Sequence, residues 1–256
     1  MSRSAPFTIS VANKSGVMQS YAIFSDAPTI RPSGGSPGTS TRSTIRIITS
    51  VKGVSSGQGM GCFTLSKKLY ATCGTYDVDS DPSEGDEERS PVGTGTEVID
   101  QRPVTLGKTD VKGKNIGGTL LEVDSSGGSP AFVNGGDQEA AGEVDCFAIR
   151  TRSEFTSQEA KLNKFVLGFS SSLRHTIGAY ATFVPAPNQT YQVKPSKVFY
   201  VAIGTYNARD LVKEGLRTAT ATFRVDFEEL STNDVQLVHD ERGNLQRLVS
   251  GNEEEE

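Results

Sequence analysis

Ser66-Lys-Lys-Leu-Tyr-Ala-Thr-Cys-Gly-Thr-Tyr76 returns, without a gap, as Ser196-Lys-Val-Phe-Tyr-Val-Ala-Ile-Gly-Thr-Tyr206. Six of these eleven positions are identical, where average composition gives about one match by chance. Upstream, Tyr21-Ala-Ile-Phe-Ser-Asp-Ala-Pro28 is echoed by Tyr180-Ala-Thr-Phe-Val-Pro-Ala-Pro187. The order is the same in both places: a Tyr-Ala-x-Phe strand, an Ala-Pro stop, then a Ser-Lys…Gly-Thr-Tyr strand. The chain therefore reads as a duplicated β unit. Tyr21 is matched to Tyr180, Tyr70 to Tyr200 and Gly74 to Gly204, and function is to be sought where the halves meet.

Strand signals dominate the rest of the chain. Phe7-Thr-Ile-Ser-Val11 and Thr44-Ile-Arg-Ile-Ile48 alternate in the manner of half-buried strands. Lys164-Phe-Val-Leu-Gly-Phe169 and Val198-Phe-Tyr-Val-Ala-Ile203 are near-continuous apolar runs, the pattern of central strands covered on both faces. Thr218–Phe227 alternates over its whole length and predicts one long strand. Asp234–Val249 predicts a closing hairpin, with Gly243-Asn244 supplying the positive φ of its turn. A single short helix is expected at Ser157–Asn163, capped by Thr156 or Ser157.

These signals predict an all-β chain, a pseudo-twofold duplicated antiparallel sandwich or barrel-like unit with long Gly/Ser/Pro-rich loops. It forms one domain or a tightly packed pair. The first half spans 7–107, a Gly-rich connector 108–143, the second half 144–230, a terminal hairpin 231–250 and an acidic tail 251–256. Thr29–Gly61 stands where the second half has only Asn188–Pro195, which makes it a candidate lid or a plain surface loop.

Lys+Arg 26 against Asp+Glu 31 gives a net charge of -5. Much of the acidity lies in Asp77–Glu88 and Glu253–Glu256, as solvated loop and tail charge. No basic stripe is present to neutralise phosphates, so nucleic acid is not an expected partner. No apolar run reaches the roughly 20 residues of a membrane span, and the N-terminus lacks the apolar core of a secretory signal. The expected location is the cytoplasm. Cys62, Cys73 and Cys146 have no CxxC spacing and are read as reduced thiols.

Chemical motifs are sparse. His175 and His239, the two histidines, are far apart and form no metal pattern. Asp77-Val-Asp79-Ser-Asp81 opens like a calcium loop, but Pro82 stands where the sharp turn needs glycine. Gly57-Gln-Gly59-Met-Gly61 precedes a strand rather than a helix, so no phosphate cradle follows. A Gly-x-Ser-x-Gly elbow is absent. No cofactor and no metal are expected.

What remains is a set of phenols, phenyl rings and a few cations. Tyr21, Tyr180 and Tyr200, with Arg174-His175 and Arg150-Thr-Arg152, are the candidate hydrogen-bond donors to a ligand. Phe24, Tyr70, Tyr76, Phe183 and Tyr206 are the candidate walls of its pocket. The competing reading of every one of these aromatics is core, with the hydroxyl tied to the protein itself.

Phe7-Thr-Ile-Ser-Val-Ala-Asn-Lys-Ser-Gly-Val-Met-Gln-Ser-Tyr-Ala-Ile-Phe24, Arg102-Pro-Val-Thr-Leu-Gly107 and Gly178–Tyr206 together resemble a group of fungal cytosolic β-rich proteins of natural-product biosynthesis. The group includes hetero-Diels–Alder cyclases that join a tropolone quinone methide to a sesquiterpene such as humulene. The resemblance covers most of the chain and transfers no individual residue. It implies a cofactor-free cyclase acting on a hydrophobic intermediate held between the halves. A cycloaddition needs no nucleophile, only apolar partners in a near-attack pose and a donor aimed at the polarising oxygen. The same features suit a non-catalytic module, lectin-like or binding a small molecule or protein. A third reading is a structural protein that oligomerises through strand edges.

Overall fold

Period-two alternation in Phe7–Asn13 places Ile9 and Val11 on one face, both fully buried, and Thr8 and Ser10 on the other. This strand, β1, begins an almost entirely β chain. The computed structural model describes residues 5–33, 40–77, 95–125, 128–133, 140–171, 179–213 and 215–248. In chain order β2 is Gln19–Ser25, β3 Thr29–Pro32, β4 Thr44–Ile45, β5 Ile47–Val54 and β6 Met60–Leu65. Then come β7 at Leu69–Asp77, β8 at Gly95–Val104, β9 at Lys108–Thr109, β10 at Asn115–Ile116, β11 at Leu120–Asp124 and β12 at Ala131–Phe132. The second half holds β13 (Phe147–Thr151), α1 (Ser157–Leu162), β14 (Phe165–Ser170), β15 (Ala181–Phe183) and β16 (Thr190–Lys194). It closes with β17 (Val198–Ile203), β18 (Thr222–Asp226), β19 (Asp234–His239) and β20 (Leu245–Arg247).

Four larger sheets carry the fold: β20-β19-β1-β6, β18-β17-β2-β5, β12-β11-β13-β16-β3 and β4-β15-β14-β7-β8. The first two pack face to face, with Phe7 stacked on Phe227 at 4.3 Å and touching Phe199 at 6.1 Å. The other two pack through Phe147–Phe169 at 6.4 Å and Phe183–Tyr191 at 4.9 Å. The result is two sandwiches sharing one apolar core, with no closed barrel among the described residues.

The pairing pattern repeats. Strands β1, β2, β5, β6, β7, β8, β11 and β12 take the same positions, in the same order, as β13 to β20. Each equivalent contact keeps its sense: β1–β6 and β13–β16 are antiparallel, and β1–β19 and β13–β11 are parallel. The sheets are therefore mixed rather than purely antiparallel. The halves are also interlocked. The first half gives β3, β4, β7, β8, β11 and β12 to the second sandwich, and the second half gives β17 to β20 to the first.

Several expectations are corrected by this topology. The repeat extends over 7–132 and 147–247, since β11–β12 of the Gly-rich connector is the counterpart of the terminal hairpin β19–β20. Ser66–Tyr76 and Ser196–Tyr206 do share a structural role, as β7 and β17. Tyr21 and Tyr180 do not. Tyr21 lies in β2, between β17 and β5, whereas Tyr180 precedes β15, between β14 and β4. A short aromatic strand ending in Ala-Pro marks a strand and a stop, not a place in a sheet.

Thr29–Gly61 is not a lid but supplies β3, β4, β5 and the start of β6. Thr218–Phe227 is not one long strand: a 3-10 turn at Leu216–Thr218 precedes β18, which starts only at Thr222. α1 forms where expected. Thr156 Oγ1 accepts from the Glu159 N–H at 3.1 Å, and the Glu159 carboxylate accepts from the Thr156 N–H at 2.6 Å. The β19–β20 turn has its positive φ, +83°, at Gly243. In β14 every residue is buried, and Gly168 is required there because a Cβ would lie 2.2 Å from the Ala181 carbonyl oxygen.

The acidic stretch beyond Asp77, the pair Arg174 and His175, and the acidic tail lie outside the described residues. No helix among the described residues is long and apolar enough to cross a membrane. Cys62, Cys73 and Cys146 are all free; Cys62 is exposed and the other two are buried.

Candidate functional site

The segment Thr44–Val54 passes from one sandwich to the other. β4 pairs with β15 through Thr44–Thr182 and Ile45–Ala181, and β5 then pairs with β2. Arg46 stands at the crossover. Its N–H donates to the Tyr180 carbonyl at 3.2 Å, and Arg209–Val212 braces the other side through Arg209 N–H to the Ile47 carbonyl and Ile47 N–H to the Asp210 carbonyl, both 2.8 Å. The Arg46 side chain is 2% exposed, and Nη1 donates to the Arg209 carbonyl at 3.1 Å. Burial pulls its guanidinium down to about 10, which still leaves it charged at neutral pH.

Tyr180 sits at the same seam. Its ring meets Phe169 of β14 edge-on at 5.7 Å and Phe199 of β17 at 6.1 Å, so it touches both sandwiches. Its hydroxyl donates to Ser171 Oγ at 2.5 Å. Burial pushes the phenol far above its ordinary value, the Ser171 hydrogen bond opposing this in part, so it remains a neutral donor. Ser171 ends the described chain after β14, and Ala179 resumes it just before Tyr180. The intervening residues include Arg174 and His175, which are joined to this seam by sequence alone. Across the seam, Ser25 of β2 is fully buried opposite Phe199, and its hydroxyl has no hydrogen-bond partner.

The other nominated residues do not gather at this point. Tyr21 faces into the first sandwich, where its hydroxyl meets His239 Nδ1 at 2.9 Å. Burial raises the Tyr21 phenol to about 12 and lowers His239, against a smaller upward pull from Asp240. The pair is thus a neutral phenol hydrogen-bonded to a neutral imidazole. Asn13, opposite His239 in the sheet and fully buried, donates to the Val17 and Val54 carbonyls at 2.8 Å each and so ties the β1–β2 turn to β5.

Tyr200 stacks on Phe24 at 5.2 Å, on the opposite face of β2 from Tyr21. Phe183 meets Tyr191 inside the second sandwich. Tyr76 is buried, Tyr70 lies half-buried opposite Ser170, and Tyr206 is half-buried beside Gly204. Arg150 is on the exposed side of β13 and Arg152 lies just past its end. Arg152 pairs with Glu122 at 2.7 Å, and Arg150 Nε lies 3.4 Å from Thr190 Oγ1. No hydrogen bond or ring contact joins Tyr21, Tyr180 and Tyr200 among the described residues.

Sequence reasoning missed Arg46, Ser171 and Ser25. Alternation assigned Arg46 to a solvent face, yet a cation bounded by Ile45, Ile47 and Ile48 is also what a buried crossover looks like. Among the described residues, no group of three or more His, Cys, Asp and Glu side chains is placed to hold a metal ion. In comparisons with known proteins, no family model, curated protein or solved structure matches the chain.

The Tyr21–His239 pair has a stability consequence with a defined sign. The folded state holds His239 below the unfolded value of about 6.5, so its contribution is complete above that value and is lost as pH falls through the folded one. The phenol-to-Phe change at Tyr21 leaves a buried ring nitrogen of His239 without its hydrogen-bond partner, at a cost of about 1–3 kcal/mol. Urea unfolding should show Tyr21→Phe destabilised by that amount at pH 8, and His239→Gln should flatten the stability loss between pH 7 and 5. An unchanged pH profile in His239→Gln would show that the imidazole is not the titrating group.

Proposed function

We propose that the chain binds an apolar small molecule at the seam between its sandwiches and promotes its cyclisation by hydrogen-bond donation. The observation that carries this reading is the backbone hydrogen bond from the Arg46 N–H to the Tyr180 carbonyl, which holds two buried residues at one crossover. A cation and a phenol are kept there in apolar surroundings, where burying charge is costly and where a donor acts more strongly than in water. Ser171 Oγ accepts a hydrogen bond from the Tyr180 hydroxyl and keeps its own hydroxyl hydrogen to donate onward, and a chain of hydrogen bonds polarises its last member. A carbonyl oxygen of the substrate is the acceptor. Donation to it draws electron density from the conjugated system while the two new σ bonds form, and no proton changes hands.

The resemblance to hetero-Diels–Alder cyclases points the same way, and sets the activity in the cytosol on a conjugated enone with an alkene partner. The test is the reaction of a tropolone quinone methide, generated in situ, with humulene. The wild-type protein should accelerate it and impose one stereochemical outcome. Ser171→Ala and Tyr180→Phe should each lose about a hundredfold in rate, the usual effect of removing one oxyanion-type donor, while remaining folded. A product ratio equal to that in buffer alone would overturn the proposal.

A second reading is favoured by one set of contacts. The hydroxyls of Tyr21, Tyr180 and Tyr191 already have internal partners in His239, Ser171 and the Ala186 N–H. That commitment suits a binding module that presents loops to a ligand without transforming it. Saturable binding of the same substrates with no rate enhancement would decide for this reading.

A further inference from the structure

The two sandwiches differ at two edges, where β3 and β4 each add a strand to the second, and the β3 difference leaves a strand of the first open. In the second, β16 is covered by β3, which pairs antiparallel through Thr29–Lys194, Ile30–Val193, Arg31–Gln192 and Pro32–Tyr191. The equivalent of β16 in the first sandwich is β6, and among the described residues β6 pairs only with β1. The directions of its backbone groups follow from neighbouring bonds. Thr8 and Lys14 N–H donate toward β19, to the Asn233 and His239 carbonyls, and Asn13 N–H donates toward the β6 side, to the Gly59 carbonyl. The odd residues of β1 therefore bond β6, and through the register Ile9–Phe63 and Val11–Gly61 so do the odd residues of β6. The N–H and C=O groups of Met60, Cys62 and Thr64 point to the open edge.

An open edge is ordinarily blunted by charge, proline or a bulge. Ser55-Ser-Gly-Gln-Gly-Met-Gly-Cys-Phe-Thr-Leu-Ser66 has no charged residue and no proline, and the β1–β6 register is unbroken. We propose that this edge pairs with β6 of a second copy of the chain, antiparallel, about a twofold axis through Cys62. This rests on the strand pairing and is independent of the cyclase reading.

Self-pairing is the fit the residues give. An uncharged strand offers a foreign strand no charge to read, and it brings no like charges together when it meets itself. Lys67, just beyond it, is held back by Asn233 at 2.7 Å and by the Phe7 ring. Facing residues in an antiparallel pair share a face. An axis through Cys62 sets Met60 against the partner's Thr64, all three on the exposed side. It also sets Gly61 against the partner's Phe63 on the core side, so both cores continue across the junction. The two four-stranded sheets become one, and the six edge groups of Met60, Cys62 and Thr64 in each copy find partners. The two Cys62 residues form a hydrogen-bonded pair with Cα atoms about 5.5 Å apart, inside disulfide range.

The test uses the full-length protein. Light scattering should give a dimer, and mild copper–phenanthroline oxidation should yield a covalent dimer whose cystine joins Cys62 to the partner's Cys62. Cys62→Pro removes the paired N–H groups and should weaken association by roughly ten- to hundredfold, with the monomer's circular dichroism unchanged. Cys62→Lys, on an exposed side chain, sets like charges against each other and should weaken it several-fold even if the proline variant misfolds. A monomer at every concentration tested, a dimer that gives no Cys62 cystine, or a dimer indifferent to Cys62→Lys would each overturn the proposal.

Discussion

A chain that stops at Leu230 is expected not to fold. The hairpin β19–β20 looks like an appendage in the sequence, but β19 lies in the first sandwich as the parallel neighbour of β1. Val235 and Leu237 are 1% exposed, and His239 and Leu245 are buried beside them. Each fully buried apolar side chain contributes roughly 1.5–3 kcal/mol, and removing β19 also uncovers Ile9 and Val11 and orphans the β1 N–H groups that faced it. Together these losses match the whole stability of an ordinary domain, about 5–15 kcal/mol. Circular dichroism and proton NMR of the 1–230 fragment should show loss of the β signal and collapse of amide dispersion. A dispersed, cooperatively unfolding fragment would mean that β19 is dispensable.

Phe169→Ala should be the most damaging single substitution of a side chain that touches the seam. Phe169 is 1% exposed, pairs with Ala71 and Ala181, and meets Phe147 at 6.4 Å and Tyr180 at 5.7 Å. Its small neighbours in the flanking strands cannot fill the space it leaves. The cost of emptying a buried phenylalanine is about 3–5 kcal/mol, which for a chain of this size lowers the melting temperature by roughly 6–20 °C. Urea unfolding checks the value, with the midpoint falling and the slope unchanged. A shift below about 1 kcal/mol would show that the core relaxes around the gap.

The strands themselves were legible in the sequence because their causes are local. Alternation in Phe7–Val11 and the apolar runs of β14 and β17 report burial residue by residue. The likeness of Ser66–Tyr76 to Ser196–Tyr206 marks equivalent strands because their neighbours repeat as well: β7 pairs with β14, as β17 pairs with β2. Pairing was not legible. The β17–β2 pairing joins residues more than 170 positions apart although β14 is far nearer in the chain, and alternation says only that a strand has an inside. The hairpin β11–β12 was hidden by the glycines and serines around Leu120–Asp124, which carry the same few buried residues as β19 on a softer background.

The candidate site was legible only in part. Tyr180 matches Tyr21 in sequence but not in place, yet it stands at the seam. Arg46 was not legible, because a cation inside an isoleucine run reads as the polar side of a strand until a crossover buries it. Tyr21, Tyr200 and Phe183 satisfy the same aromatic pattern and serve separate parts of the core.

Interlocking of the halves is what brings Tyr180 against Phe199 and makes the seam, so it is the claim to test first. In β17–β2 pairing Ala202 lies opposite Ala22, and Thr72 of β7 is the residue equivalent to Ala202. If each half kept its own strands, Thr72 would take that place. The measurement is disulfide formation, mapped by mass spectrometry, in two double variants: Ala22→Cys with Ala202→Cys, and Ala22→Cys with Thr72→Cys. Facing residues in a sheet have Cα atoms about 4.5–5.5 Å apart, within disulfide range. The interlocked fold predicts a cystine between positions 22 and 202 and none between 22 and 72. The reverse result would contradict it.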